Sequence, residues 1–384
     1  MDTMDFSLND HQKLIQETVR RFMESEVRPF VKEWERTERY PAEAIASLGE
    51  LGCCGMLMPE EWGGAGFDTV SYVLMLEEVA RVHCAMSTAL GVTNSAVQMP
   101  LLTFGTDVQK KKYLTPLASG KILGSFCLTE AVAGSDASGI QARAALVEGG
   151  GVYKLNGAKT WVTNGSVAGV FIVFAKTSPE LGGKGMTAFL VEPGFQGFKI
   201  GRHEDKMGQR SSPSVEILLE DCVVPVENRL GEEGQGLKIA LAALDGGRIG
   251  IAAQALGLAE GALDESVKYA KSRGAFGKKI AEFQAIQWML ADMQTEIEAA
   301  RGLVYYAAWL KDSGKAMGAA ASEAKLYASE MVNRVVAKAV QIHGSVGYSR
   351  ETDVERMYRD ARVITIYEGT SEVQRTIIGR ELLR

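Results

Sequence analysis

Apolar side chains return every third or fourth position through residues 9–30, 42–51 and 71–82, the spacing that lines one face of an α-helix. Pro29, Pro41, Pro59 and Pro100 punctuate these runs, and a glycine-rich loop, Glu60-Glu61-Trp62-Gly63-Gly64-Ala65-Gly66-Phe67, separates two of them. From about 124 to 230 the pattern changes to short β-like segments at 152–155, 170–175, 187–191 and 214–219, divided by Gly, Pro and Asn clusters. The helical spacing then resumes at 236–270 and 283–310. All 9 prolines lie at or before Pro225, and the Ala-rich remainder suits several long helices packed as a bundle. The pattern therefore predicts an α+β chain, mainly α, in three parts: an N-terminal helical domain over 1–123, a middle β-domain over 124–230, and a C-terminal helical bundle domain over 231–384.

Composition narrows the function classes. With 46% hydrophobic and 23% charged residues, the 384-residue chain reads as an ordinary globular protein of roughly two or three modules. A net charge of -6 argues against a nucleic-acid surface. Cys53, Cys54, Cys84, Cys127 and Cys222 show no zinc or redox spacing and read as reduced, mostly buried thiols. His11, His83, His203 and His343 are scattered without ligand spacing, so no protein-bound metal is expected. The acidic start Met1-Asp2-Thr3-Met4-Asp5 lacks signal or transit character, and no apolar run approaches the ~20 residues that span a bilayer. A soluble, cytoplasmic protein with no membrane partner is the expectation.

Two segments carry candidate chemistry. In Ile366-Tyr367-Glu368-Gly369-Thr370, one carboxylate closes the apolar run Val363-Ile364-Thr365-Ile366. Apolar surroundings disfavour ionised Glu and raise its pKa toward the range of a general base, and the glycine after it permits close approach. The same residues also suit a plain turn ahead of a helix beginning at Thr370, Ser371 and Glu372, where acids are favoured by the dipole. The second segment, Cys127-Leu128-Thr129-Glu130-Ala131-Val132-Ala133-Gly134-Ser135-Asp136-Ala137-Ser138-Gly139, gathers donors suited to a heterocycle or an anion, and equally suits an ordinary polar loop.

That second segment, followed by Lys159-Thr160-Trp161-Val162-Thr163-Asn164-Gly165, resembles the flavin site of the acyl-CoA dehydrogenase family. The resemblance continues through Lys206 to Ser212, through Arg273, Phe276, Gly277, Phe283 and Gln284, and through Gln341-Ile342-His343-Gly344-Ser345-Val346-Gly347-Tyr348 with Glu351, Arg356 and Asp360. It implies that family's fold, with a four-helix bundle as the C-terminal domain, FAD as cofactor, an acyl-CoA as substrate, and oxidation to the trans-2-enoyl-CoA. Under it Glu368 is the base that takes the α-proton, while its backbone N-H and a ribityl hydroxyl hold the developing enolate oxygen. Phe126, Leu128, Thr129, Gly134 and Ser135 would meet the isoalloxazine edge, Trp161 and Val162 would flank the ring, and Thr163 would face N5. Arg273 would bind the pyrophosphate, with Phe276, Gln284, Gln341, Gly344 and Ser345 supplied by a neighbouring subunit, and Thr370, Ser371 and Glu372 completing the site. Ser135, Asp245, Arg248 and Gly369 would bind the substrate, with Asp245 and Arg248 touching its CoA portion. A site shared between subunits implies an oligomer, commonly a homotetramer, with electron-transferring flavoprotein as acceptor.

Gly247 stands where the isovaleryl and long-chain branches carry their catalytic Glu, which leaves Glu368 as the candidate. The chain departs from the family pattern at Ala131-Val132-Ala133 and at Ser345. Its ending is most similar to the short-chain, butyryl-CoA type; medium-chain, branched and cyclic acyl groups stay open, while no Arg between 83 and 120 offers a cation for a dicarboxylic substrate. His83 remains as a cation there, or else as a partly buried structural residue, and Lys110 to Lys112 read as a solvated helix face. Rival readings are an oxygen-using acyl-CoA oxidase and a catalytically idle FAD-binding homologue.

Overall fold

A computed structural model describes residues 7–384; the acidic segment Met1 to Asp5 lies outside them. Helix α1 (Asp10–Phe22) begins where Asn9 and Gln12 cap one another, side chain to backbone N-H in both directions. Helix α2 (Ala42–Glu50) follows, and α3 (Thr69–Val82) starts on Asp68, whose carboxylate accepts from Ser71 N at 2.7 Å. A further helical run, α4 (84–104), is loosened in its middle by a π-helical turn over Val92–Val97.

The middle of the chain forms a sheet from β1 (Leu123–Cys127), β2 (Arg143–Leu146), β3 (Val152–Thr163), β4 (Ala168–Lys176), β5 (Met186–Val191), β6 (Phe198–His203), β7 (Ser214–Pro225) and β8 (Arg229–Leu230). Its order is β6-β7-β3-β2-β4-β5-β8, with β1 parallel to β4. The apolar-rich β4 and β5 are almost wholly buried, whereas β2 and β6 show mostly polar or exposed positions. That is why periodicity picks out the former pair and passes over the latter.

The remaining chain is helical: α5 (Gly236–Ser272), α6 (Gln284–Asp312), α7 (Gly318–His343), α8 (Asp353–Ala361) and α9 (Ser371–Leu382). α5 is long and apolar enough to cross a membrane by length and composition, yet 72% of its most apolar stretch is packed inside the protein. The sequence expectation of no such run misses it, because Asp245 and Arg248 interrupt its Ile, Leu and Ala residues. Glycine also sets its packing. A Cβ at Gly257 would sit 2.0 Å from Glu77 O of α3, and one at Gly261 would sit 2.3 Å from Arg81 O, so α3 and α5 meet backbone against side-chain-free surface. The five cysteines are buried and unpaired.

Candidate active site

The segment ahead of α9 is bent into a shape that isolates one carboxylate. Ile366 N and Tyr367 N both donate to Val363 O, at 2.8 and 3.1 Å, and close a tight turn. The next two residues are left-handed, Glu368 at φ 51 and Gly369 at φ 92. Glycine adopts this region freely, but a residue with a Cβ pays ~1–2 kcal/mol, so the surroundings must impose it. They do so through donors to the two carbonyls: Lys325 Nζ reaches Gly369 O at 2.7 Å, and Gln374 Nε2 reaches Gly369 O at 3.0 Å and Glu368 O at 3.3 Å. The cap of α9 is supplied by Thr370, whose hydroxyl accepts from Val373 N at 3.3 Å. Glu368 is therefore not the capping residue.

Its carboxylate instead points at α5. A Cβ added to Gly247 would lie 2.0 Å from Glu368 Oε2, so the carboxylate occupies the space that a side chain there would fill. Although the residue as a whole is half-buried, Oε2 is enclosed and has no hydrogen-bond partner. Burial pushes the Glu368 pKa up to about 7, and the charges of Lys325 and Arg248 hold it from rising further. Arg248 is itself buried and pairs with Asp245 one turn earlier on α5, with its Nε unpartnered. One turn beyond Gly247, Gly250 faces the Tyr72 hydroxyl of α3, 2.7 Å from where its Cβ would be. That hydroxyl is also enclosed and unpartnered. Glu368 Oε2 and the Tyr72 hydroxyl thus lie beside one face of α5, at Gly247 and Gly250 one turn apart.

A hydrogen-bonded ring braces this turn from behind. Tyr367 donates to Gln254 Oε1, Gln254 Nε2 donates to Thr88 Oγ1 at 2.5 Å and Cys84 O at 2.9 Å, Thr88 donates to Gln209 Oε1 at 2.6 Å, and Gln209 Nε2 returns to the Tyr367 hydroxyl at 3.3 Å. Asp360 accepts from Gln209 N and pairs with Arg356 at 3.3 Å, so the signature residues of α8 clamp the 206–212 link to the bundle.

The β-domain presents a second surface. Leu128 to Glu130 is fastened to β3 by Thr160 N to Thr129 O at 2.9 Å and by Lys159 Nζ to Leu128 O at 3.2 Å. Lys159 also forms a fully buried ion pair with Glu130 at 2.7 Å, and Glu130 accepts from Gln141 N and Ala142 N. Ser125 donates to Thr163 O at 2.7 Å, which ties β1 to the end of β3. The structure therefore brings Phe126, Leu128, Thr129, Trp161, Val162 and Thr163 together. Between Lys159 and Val162 the register with β7 shifts, Trp161 takes φ 59, and its indole is 58% exposed. Val162 is buried beneath it, Thr163 and Phe126 are partly buried, and Phe126 packs on Phe174 at 5.0 Å. Gly134 and Ser135 are exposed in the loop.

The other predicted residues stand apart in this single chain. Arg273, Gln284, Gln341, Gly344 and Ser345 are exposed, and Phe276 is 95% exposed at φ 52 between two short strands, Gly274–Ala275 and Lys278–Lys279. Thr370, Ser371 and Glu372 line an open groove of about 400 Å³ with Glu330, Asn333 and Arg362, where the Ser371 hydroxyl is enclosed without a partner. Asp245 belongs to a second groove, about 520 Å³, with Lys184, Leu237, Lys238 and Leu241. His83 is fully enclosed between Ser211, at 3.1 Å, and Glu35, at 3.6 Å, and burial pushes its pKa down. Lys111 and Lys112 are exposed, as expected of a solvated helix face, while Lys110 is half-buried over the Trp62 ring and Lys112 pairs with Glu192 at 2.7 Å. Sequence reasoning missed Tyr72, Gln254, Lys325 and Gln374; each sits in an ordinary helical pattern with nothing local to mark it.

Comparison with known proteins places these features in company. Family models described as the N-terminal, middle and C-terminal domains of acyl-CoA dehydrogenase match residues 9–121, 125–222 and 234–383. A short-chain specific acyl-CoA dehydrogenase of Clostridium acetobutylicum is 46% identical, covering 99% of this chain and 100% of the relative. An acryloyl-CoA reductase (NADH) of Anaerotignum propionicum is 45% identical over 100% of this chain and 97% of its own. The solved structure of butyryl-CoA dehydrogenase from Megasphaera elsdenii superposes with a TM-score of 0.97 at 47% identity, covering 99% and 100% of the two chains.

Proposed function

The chain belongs to the acyl-CoA dehydrogenase family of oxidoreductases, and from that premise we propose that it dehydrogenates a short-chain acyl-CoA at its α,β-bond with Glu368 as the base. The observation that carries the reading is the enclosed, unpartnered Glu368 Oε2 lying in the space left by Gly247. A carboxylate buried in this way titrates near neutrality, which suits it to accept a proton from carbon beside a thioester carbonyl at ordinary pH. Among the described residues no acceptor takes the Glu368 N-H, so it is free to hold the thioester oxygen as negative charge gathers there.

The residues present fit FAD. The outward indole of Trp161 offers a flat aromatic face, Thr163 a hydroxyl beside it, the Gly134-Ser135 loop exposed backbone, and Ser371 an enclosed hydroxyl without a partner. When bound, FAD supplies the hydride acceptor for the β-carbon. Exposed Arg273, Phe276, Gln284, Gln341, Gly344 and Ser345 are read as contributions to the same cofactor from or toward a neighbouring subunit of a homotetramer. Asp245 and Arg248 are assigned to the CoA side, where Lys184 and Lys238 line the same groove as Asp245. The division at about 123 and 230 is retained as the proposed domain boundary.

The test is to mix the holoprotein with butyryl-CoA without oxygen and follow flavin bleaching and 2-enoyl-CoA by mass spectrometry. Reoxidation is then compared with electron-transferring flavoprotein and with oxygen. Bleaching, enoyl product and faster reoxidation by the flavoprotein are expected. Absence of bleaching with every acyl-CoA refutes the reading, and faster reoxidation by oxygen replaces it with an oxidase.

A further inference from the structure

Lys325 lies on α7, in the Ala-rich stretch Gly318 to Ala328, and its side chain is fully buried. A lone helical lysine ordinarily extends to solvent, since enclosing an ammonium costs several kcal/mol unless it gains partners. This one gains two. Its Nζ donates to Gly369 O at 2.7 Å, and its charge acts on the carboxylate of the neighbouring Glu368. Gln374, a neutral donor, already reaches both carbonyls of the turn, so carbonyl satisfaction alone does not call for a cation.

We infer that Lys325 is a positioning residue for the base: it ties down the left-handed Glu368-Gly369 turn through the Gly369 carbonyl, and it supplies the positive charge that keeps the enclosed Glu368 carboxylate ionised. The inference rests on the assignment of Glu368 as the base. The charged and titratable groups around the pair are few. Arg248 of α5 is a second cation near Glu368, but it is already paired with Asp245. The Tyr72 hydroxyl of α3 faces Glu368 and carries no charge at neutral pH, because burial raises its pKa. Glu372 of α9 and Glu330 of α7 act on Lys325 from the groove side; Glu372 is exposed, and Glu330 is paired with Arg375 at 2.6 Å. Glu368 is thus the one enclosed anion facing this ammonium among the described residues. The electrostatics agree in sign. Burial lowers the Lys325 pKa to about 8 and raises that of Glu368 to about 7, so around neutral pH the lysine is charged while the base loses its proton.

The experiment uses the FAD-loaded enzyme and its Lys325→Met, Lys325→Arg and Lys325→Gln variants. The protonation of Glu368 is titrated directly by infrared difference spectroscopy of the carboxyl band, assigned by its loss in Glu368→Gln, and beside it the anaerobic bleaching rate is measured against pH. In Lys325→Met the carboxyl midpoint is expected to rise by ~1 pH unit or more. A one-unit rise cuts the ionised fraction at pH 7 from about one half to about one tenth, so bleaching at pH 7 slows about fivefold and recovers as pH rises, with KM little changed. Lys325→Arg restores the midpoint to within a few tenths of a unit. If Lys325→Met fails to retain FAD, Lys325→Gln, which keeps a donor and removes the charge, decides the matter with the same expected shift. An unchanged midpoint and pH profile in the neutral variants would overturn the inference and leave Lys325 a structural residue. If the parent enzyme bleaches with no acyl-CoA, the functional reading fails, while the infrared titration still decides the role of Lys325.

Discussion

Substituting Gly247 by Ala probes the packing that singles out Glu368. The added methyl would lie 2.0 Å from Oε2, 3.0 Å from Cδ and 3.4 Å from Oε1 of Glu368. Non-bonded heavy atoms rest at ~3.5 Å, so Oε2 must retreat by about 1 Å or more. The obstructed atoms are the tip of a flexible side chain rather than backbone, so the fold can accommodate the change by moving the carboxylate. Glycine to alanine within a helix gains ~0.5–1 kcal/mol, and an off-rotamer Glu368 returns ~0.5–1.5 kcal/mol, so net stability should change by less than ~1 kcal/mol. Catalysis is far less tolerant: a misplacement of ~1 Å in a reacting group costs ~100-fold. Stopped-flow bleaching by saturating butyryl-CoA without oxygen, together with the FAD-to-protein ratio and Tm, separates the two effects. The expected outcome is reduction slowed ~100-fold with full FAD and a nearly unchanged Tm. A rate within about threefold of the parent would refute the claim that Gly247 makes room for the working carboxylate, and a slow rate accompanied by lost FAD would assign Gly247 to folding instead.

Two further outcomes follow from the same structure. With Glu368 as the proposed base and its pKa raised to about 7, the bleaching rate should climb as pH rises through 7 and then level; a rate flat from acid to alkaline pH would mean that another group is the base. Lys159→Met removes the counter-charge of the buried Glu130 carboxylate, which keeps the Gln141 and Ala142 N-H donors, and loosens the Leu128 to Glu130 segment from β3, so it should cost ~1–3 kcal/mol in denaturant unfolding and weaken FAD retention, whereas normal stability and full FAD would show that the pair is dispensable.

The long helices were legible because their apolar spacing runs for many turns without proline, as in α5 and α6. Strands were legible where both faces are buried, as in β4 and β5, and illegible in β2 and β6, where exposure removes the apolar signal. β3 continues well past the apolar Val152 to Leu155 because pairing with β7, not hydrophobicity, carries it through Gly157 to Thr163. At the site, Glu368 stood out from the apolar residues before it and the glycine after it. What surrounds it did not: Lys325, Tyr72 and Gln254 arrive from three different helices, and nothing in a helix's own sequence tells which neighbour its polar residue will meet. The left-handed turn was likewise unreadable, since the donors that impose it come from α7 and α9.

The central claim is that the enclosed carboxylate of Glu368 removes the α-proton. Glu368→Gln keeps the shape and replaces the proton acceptor with an amide, so the most direct measurement is the single-turnover bleaching of this variant by butyryl-CoA. FAD content and acyl-CoA binding near those of the parent, with reduction almost abolished, are the expected result. Reduction at a near-parental rate would show that the proton leaves by another route and that Glu368 is not the base.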